Sequence, residues 1–153
     1  MEEQLGAAVT TGGNRVFLNL RTGHMAETSK EFQPGYQKAK TVNKSGTENH
    51  FFAKKYEYIT GYITDIRKHI GELADNTKLV SWNITIDTTR EVYVLGVGEK
   101  DRPYTRLMAV LGNIDFGKPV RFVAFMGKYQ GKPQKVLNLY QGGEKPVQPS
   151  VEP

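Results

Sequence analysis

The stretch Tyr56-Glu57-Tyr58-Ile59-Thr60-Gly61-Tyr62-Ile63-Thr64-Asp65-Ile66 alternates between two kinds of side chain. Successive residues of a strand point to opposite faces. An extended chain therefore sets Tyr56, Tyr58, Thr60, Tyr62 and Thr64 on one side and Ile59, Gly61 and Ile63 on the other. The isoleucine side suits a core, and the tyrosine side suits flat, unstacked, anionic ligands that Lys54 and Lys55 would attract. Gly61 in mid-strand predicts a bulge or a sharp coil.

Four further runs share this period of two, at residues 79–86, 91–97, 119–129 and 135–140, all rich in Val, Ile, Tyr, Phe or Thr. Between the third and fourth runs, Leu107, Val110 and Leu111 recur at helical spacing, with Pro103 in the first turn and Gly112 after the last. Three strands, one helix and two strands, in that order, predict an all-β chain with one helix: an OB-fold, the five-stranded Greek-key barrel. In the second run Trp82 shares a face with Val80, Ile84 and Ile86, which predicts core packing for the sole tryptophan. The third run is apolar on both faces, with Tyr93, Leu95 and Val97 opposite Val92 and Val94.

Upstream, Val16, Leu18 and Leu20 alternate with Arg15, Phe17 and Asn19, a short strand that a return near residues 24–29 would make into a hairpin. Residues 32–49 carry Lys30, Lys38, Lys40 and Lys44 on or beside them together with Tyr36, and read as a strand-loop across the barrel, a basic phosphate-contacting segment or a solvated linker. The expected organisation is a flexible arm at 1–14, an N-terminal β extension at 15–50, the barrel at 51–141 and a disordered proline-rich tail at 142–153.

The 153 residues suffice for one domain with a real core. No apolar run approaches 18 residues and the start Met1-Glu2-Glu3 has no signal-peptide pattern, so a cytoplasmic, non-membrane protein is expected. Zero cysteines exclude disulfides and thiolate chemistry. His24, His50 and His69 are scattered, the acids flank turns, and no glycine pattern matches a phosphate loop, so neither an enzyme nor a cofactor is expected. Twenty-one Lys and Arg against 16 Asp and Glu leave a net charge of +5, which favours an anionic partner.

The phrases Tyr62-Ile63-Thr64-Asp65-Ile66, Asn83-Ile84-Thr85-Ile86-Asp87 and Asn113-Ile114-Asp115-Phe116-Gly117-Lys118-Pro119-Val120, in this order around the helix, resemble the phage and phage-like single-stranded DNA-binding proteins of OB-fold type. The resemblance covers roughly the last two thirds of the chain without the tail. It implies a non-catalytic protein that coats single strands in replication or recombination, with binding positions at Tyr58, Tyr62 and Arg67. The end of the chain departs from the acidic tail common in that group, having only Glu144 and Glu152 against Lys145.

The expected interface stacks bases on Tyr56, Tyr58 and Tyr62, with Tyr93 and Phe125 as further platforms, and meets phosphates with Lys54, Lys55, Arg67, Lys68, Arg106, Arg121, Lys128 and Lys132. The partners expected are single-stranded DNA and proteins of replication or recombination, with the protein a monomer or homodimer. Two other readings stand beside this one: a barrel that binds protein through exposed strand edges, and a barrel that binds RNA.

Overall fold

A computed structural model describes residues 15–43 and 45–148. The chain is mostly β. Among the described residues it runs β1 (Arg15–Leu18), β2 (Met25–Ser29), β3 (Gln37–Val42), β4 (Glu48–Tyr56), β5 (Ile59–Glu72), β6 (Lys78–Asp87), β7 (Val92–Gly98), α1 (Arg102–Leu111), β8 (Val120–Tyr129) and β9 (Lys132–Tyr140). The five alternating runs and the helical run correspond to β5, β6, β7, α1, β8 and β9, in the expected order.

β5 is the spine. Its first residues pair with β8, Ile59 opposite Phe122 and Gly61 opposite Val120, and from Tyr62 onward it pairs with β6 as far as Glu72. The resulting six-stranded sheet has the order β9-β8-β5-β6-β7-β1 and curls into a half-barrel. Its edges β9 and β1 are not neighbours in a ladder. α1 packs on β9 and β7, and Leu20 of the connection after β1 and Met25 at the start of β2 join the same core.

Inward residues of every strand meet in this core: Leu18, Ile63, Ile84, Ile86, Leu95, Val97, Val120, Phe122, Leu137 and Leu139, with Leu107 and Val110 from the helix. The ambiguous third run is thereby settled. Leu95 and Val97 are inside, while Val94 lies on the outer face of the sheet.

Gly61 has a different role from the bulge the sequence suggested. The register shift falls between Ile63 and Asp65, leaving Thr64 as the extra residue. At Gly61 a Cβ would lie 2.6 Å from the Asp87 carbonyl oxygen and 2.8 Å from an Ile86 methyl. The residue is bare because two backbones close together there.

Three expectations upstream are corrected. The barrel boundary at residue 51 cuts through β4, which belongs to a separate three-stranded sheet of order β2-β4-β3. β1 and β2 make no hairpin, since a single bridge, Asn19 to Ala26, joins them before β1 pairs in parallel with β7 and β2 with β4. The middle of segment 32–49 is neither linker nor strand-loop across the barrel, because β3 pairs with β4 from Gln37 to Val42. The small sheet packs Ala26, Ala53 and Ala39 with Phe51, whose ring lies 4.1 Å under the Arg21 guanidinium.

The proline-rich segment also differs from expectation where it is described. The Val147 amide donates to the Leu139 carbonyl at 2.7 Å, the Asn113 side chain donates to the Gln148 carbonyl at 2.7 Å, and Val147 packs against the core. One apolar residue and the free edge of β9 are enough to dock a segment without periodicity. The arm at 1–14 and residues 149–153 lie outside the described residues.

A tyrosine pair joins the two sheets. Tyr56 ends β4 and meets Tyr93 of β7 edge to face, with ring centroids 5.5 Å apart. Its hydroxyl donates to Glu27 of β2, which also accepts from Tyr36 at 2.9 Å. Burial, followed by the Glu27 hydrogen bond, holds the Tyr56 phenol well above its ordinary pKa, and burial followed by Glu91 raises that of Tyr93.

Two outcomes follow. Gly61→Ala forces a Cβ onto backbone that cannot yield, and thermal unfolding should show a loss of about 1–3 kcal/mol. Because the folded state raises the Tyr56 pKa, its stabilisation is complete below about pH 10 and is lost as pH climbs through the folded value. Unfolding free energies measured across the alkaline range should therefore be steady and then fall. Tyr56→Phe should cost about 1–2 kcal/mol at neutral pH and make that fall shallower.

Candidate nucleic-acid interface

Strand register places the outward side chains of the sheet in rows. Arg15, Val92, Asp87 and Tyr62 lie side by side across β1, β7, β6 and β5. The next row is Phe17, Val94, Thr85 and Asp65, and the one after it Gly96, Asn83 and Arg67. The two middle strands thus present short residues, and the two flanking strands present tall ones. The outcome is a trough of about 510 Å³, floored by Thr85, Asn83 and Val94 and walled by Arg15 and Phe17 on one side and Thr64, Asp65 and Arg67 on the other. Its walls are three strand spacings apart, roughly 14 Å.

Phe17 is 67% exposed, although it is a large apolar ring on a strand whose neighbours Val16 and Leu18 face the core. Tyr62, 41% exposed, lies on β5 one row before the opposite wall, beside the trough. Arg67 donates from Nε to Asp65 at 2.7 Å, which fixes the guanidinium in place while leaving its terminal nitrogens for another acceptor. The extra residue Thr64 is what brings Asp65 and Arg67 onto the trough side, since without the register shift the alternation from Tyr62 would turn them inward.

The surface continues past β5. Thr60, on the same face as Tyr62, is opposite Arg121 of β8, which is opposite Tyr140 of β9. The Arg121 guanidinium lies 4.7 Å from the Tyr140 ring centroid. Two positions farther along β8, Val123 and then Phe125 face the same way, with Phe125 partly exposed, and Lys128 and Lys132 are exposed near the end of the hairpin.

The anticipated tyrosine row is therefore broken. β4 ends at Tyr56 and β5 begins at Ile59, so the chain changes sheets between them and the alternation does not carry through. Tyr58, 62% exposed in that bend, and Tyr62 are open to a ligand, whereas Tyr56 and Tyr93 are occupied with each other and with Glu27. Lys54 and Lys55 belong to the small sheet, Lys54 with its ammonium 5.6 Å from the Tyr56 ring. Lys68 is opposite Trp82 on the inward side of the β5–β6 hairpin, away from the trough. Arg106 is on α1 facing β9.

Trp82 is not a core residue. Its indole stacks on Tyr104 of α1 with centroids 6.4 Å apart and donates to Glu99 at 3.1 Å, at a position where β5 and β6 have run beyond the packed interior. Phe17 and Arg15 are the trough residues that sequence reasoning missed. Their outward orientation was present in the alternation, but their place beside Val94 depends on a parallel pairing with a distant strand.

Among the described residues no three His, Asp or Glu side chains are grouped so as to hold a metal ion, and no helix is long and apolar enough to cross a membrane. No family model matches the chain, and no curated protein or solved structure matches it.

Proposed function

We propose that this chain is an OB-type protein that binds single-stranded DNA with little regard to sequence, coating strands in replication or recombination of the kind phage genomes undergo. The observation that carries the reading is the trough: exposed Phe17 stands with Arg15 on one wall and Arg67 on the other, over a floor of short side chains, and exposed Tyr62 follows beside it on the strand that carries Arg67. The strand order β9-β8-β5-β6-β7, with the helix between β7 and β8, supports an OB-type barrel to which β1 is added.

In this reading bases stack on Phe17 and Tyr62, with Tyr58 and Phe125 extending the path, and phosphates meet Arg15, Arg67 and Arg121. Stacking accepts any base, because every base has a π face, and this is the basis of the expected tolerance of sequence. A duplex, whose bases are already stacked on each other, has nothing to give the two rings. The overall charge of +5 favours the encounter. Asp87 shares a row with Tyr62 and Arg15 and opposes phosphate there, so aromatic contact rather than charge holds the strand at that end.

Fluorescence anisotropy of a labelled oligothymidine at two salt concentrations, with duplex DNA and an RNA strand of equal length as competitors, tests this. Binding should weaken with salt and resist the duplex. Phe17→Ala combined with Tyr62→Ala should weaken it by about tenfold or more, each stack being worth roughly 1–3 kcal/mol. Asp87→Asn should tighten it a few-fold. Absence of binding at low salt, or a double variant that binds as well as the parent, overturns the reading and leaves a protein-interaction barrel. Stronger competition by RNA than by DNA of the same length would reassign the polymer.

A further inference from the structure

A second groove, of about 730 Å³, lies between α1 and β9, away from the trough. Arg102 and Arg106 are one helical turn apart and both line it, and Lys135 of β9 lines it from across. Its apolar wall includes Val136 and Leu137. Among the described residues no carboxylate lines this groove, and none forms an ion pair with these three cations.

Arg106 and Lys135 are half-buried. Such side chains lay their aliphatic stems on apolar surface and keep the charged head available at the opening, where an anion is the complement. Elsewhere in this chain several cations do meet a carboxylate: Arg67 has Asp65, Lys40 has Glu48, and Lys118 has Asp115. The groove concentrates three positive charges with none of that compensation, at a size typical of small-molecule sites.

Tyr129 forms the end of the groove. The Arg102 guanidinium lies 4.8 Å from its ring centroid, and the ring is still 48% exposed. Stacking on a ring directs a guanidinium by its plane and leaves its edge nitrogens free to donate in pairs, the arrangement that suits phosphate oxygens. Thr105 and Asn138 add neutral hydrogen-bonding groups.

We propose that this groove is a binding site for the phosphates of a nucleotide, held by Arg102, Arg106 and Lys135, with the base against the open part of the Tyr129 ring. The shared chemistry is a phosphorylated nucleoside. It has two sources, a free nucleotide and the phosphorylated end of a strand. The site does not depend on the trough, so it stands or falls separately from the strand-binding reading.

The test is calorimetric titration of the full chain at low salt with thymidine 5′-diphosphate, and in parallel with oligothymidine carrying or lacking a 5′-phosphate. The parent should bind the diphosphate or should bind the phosphorylated strand more tightly than the unphosphorylated one. Arg106→Ala with Lys135→Ala should reduce that term by about tenfold or more, whereas Lys30→Ala with Lys38→Ala, the same change of charge on the small sheet, should leave it unchanged. Phe17→Ala should also leave it unchanged while weakening the unphosphorylated strand. A gain confined to the phosphorylated strand identifies a strand end, and diphosphate binding identifies a free nucleotide. No diphosphate binding and no effect of the 5′-phosphate, or equal losses in both double variants, overturns the proposal. Circular dichroism of each variant establishes that folding is retained, and Arg106→Lys with Lys135→Arg, which keep the charge, should restore most of the affinity if the first pair proves unfolded.

Discussion

Everything in this protein depends on one strand having two partners. β5 gives its first residues to β8 and the rest to β6, and the handover occurs at Gly61 and Tyr62, where the β5 and β6 backbones approach too closely for any side chain. From that crossing the two hairpins diverge. β5–β6 and β8–β9 each extend past the interior, and the helix is left to fill the space between β7 and β9. A sheet that curls this tightly makes an inside small enough to be packed by one layer of Leu, Ile, Val and Phe, and an outside that stays open.

The outside acquires its chemistry from the heights of its residues. Valine, threonine, asparagine and glycine on β6 and β7 lie low, and phenylalanine, tyrosine and arginine on β1 and β5 stand above them. No loop is needed to make the depression, since ladder register alone fixes which side chains face each other across it. The helix side works by a different principle: a groove between two kinds of element, lined by three cations and, among the described residues, by no carboxylate. One surface owes its character to exposed rings and the other to positive charge.

The six elements from β5 to β9 were legible because each has a simple period and a clear end. Ile59, Gly61 and Ile63 face inward as counted, and Leu107 and Val110 reach the core at helical spacing. What could not be read was where one strand stopped and another began. Tyr56 and Tyr58 continue a perfect alternation in the sequence while the chain turns from one sheet to another, so the count assigned three tyrosines to one face when two are exposed and the third is a hydrogen-bond donor to Glu27. Trp82 failed for a related reason: period two gave its face correctly, but the strand extends farther than the core does, so facing inward near its end means facing Tyr104. Phe17 and Arg15 were read as a strand whose neighbour was misjudged, because a local hairpin is the default and a parallel partner from the far side of the chain carries no local signal.

The parallel docking of β1 also sets an order of events. The hairpins β5–β6, β6–β7 and β8–β9 form between residues close in sequence, whereas the pairings of β5 with β8 and of β1 with β7 are long-range. β1 reaches β7 across about half the chain and must wait until β7 exists. The far wall of the trough therefore forms after its floor, and a chain in which only β5, β6 and β7 have paired has the floor and Arg67 but lacks Phe17 and Arg15. The two-walled trough is in this sense a property of the assembled six-stranded sheet alone. A chain still being made, before β7 has emerged, has neither its floor nor its far wall in place.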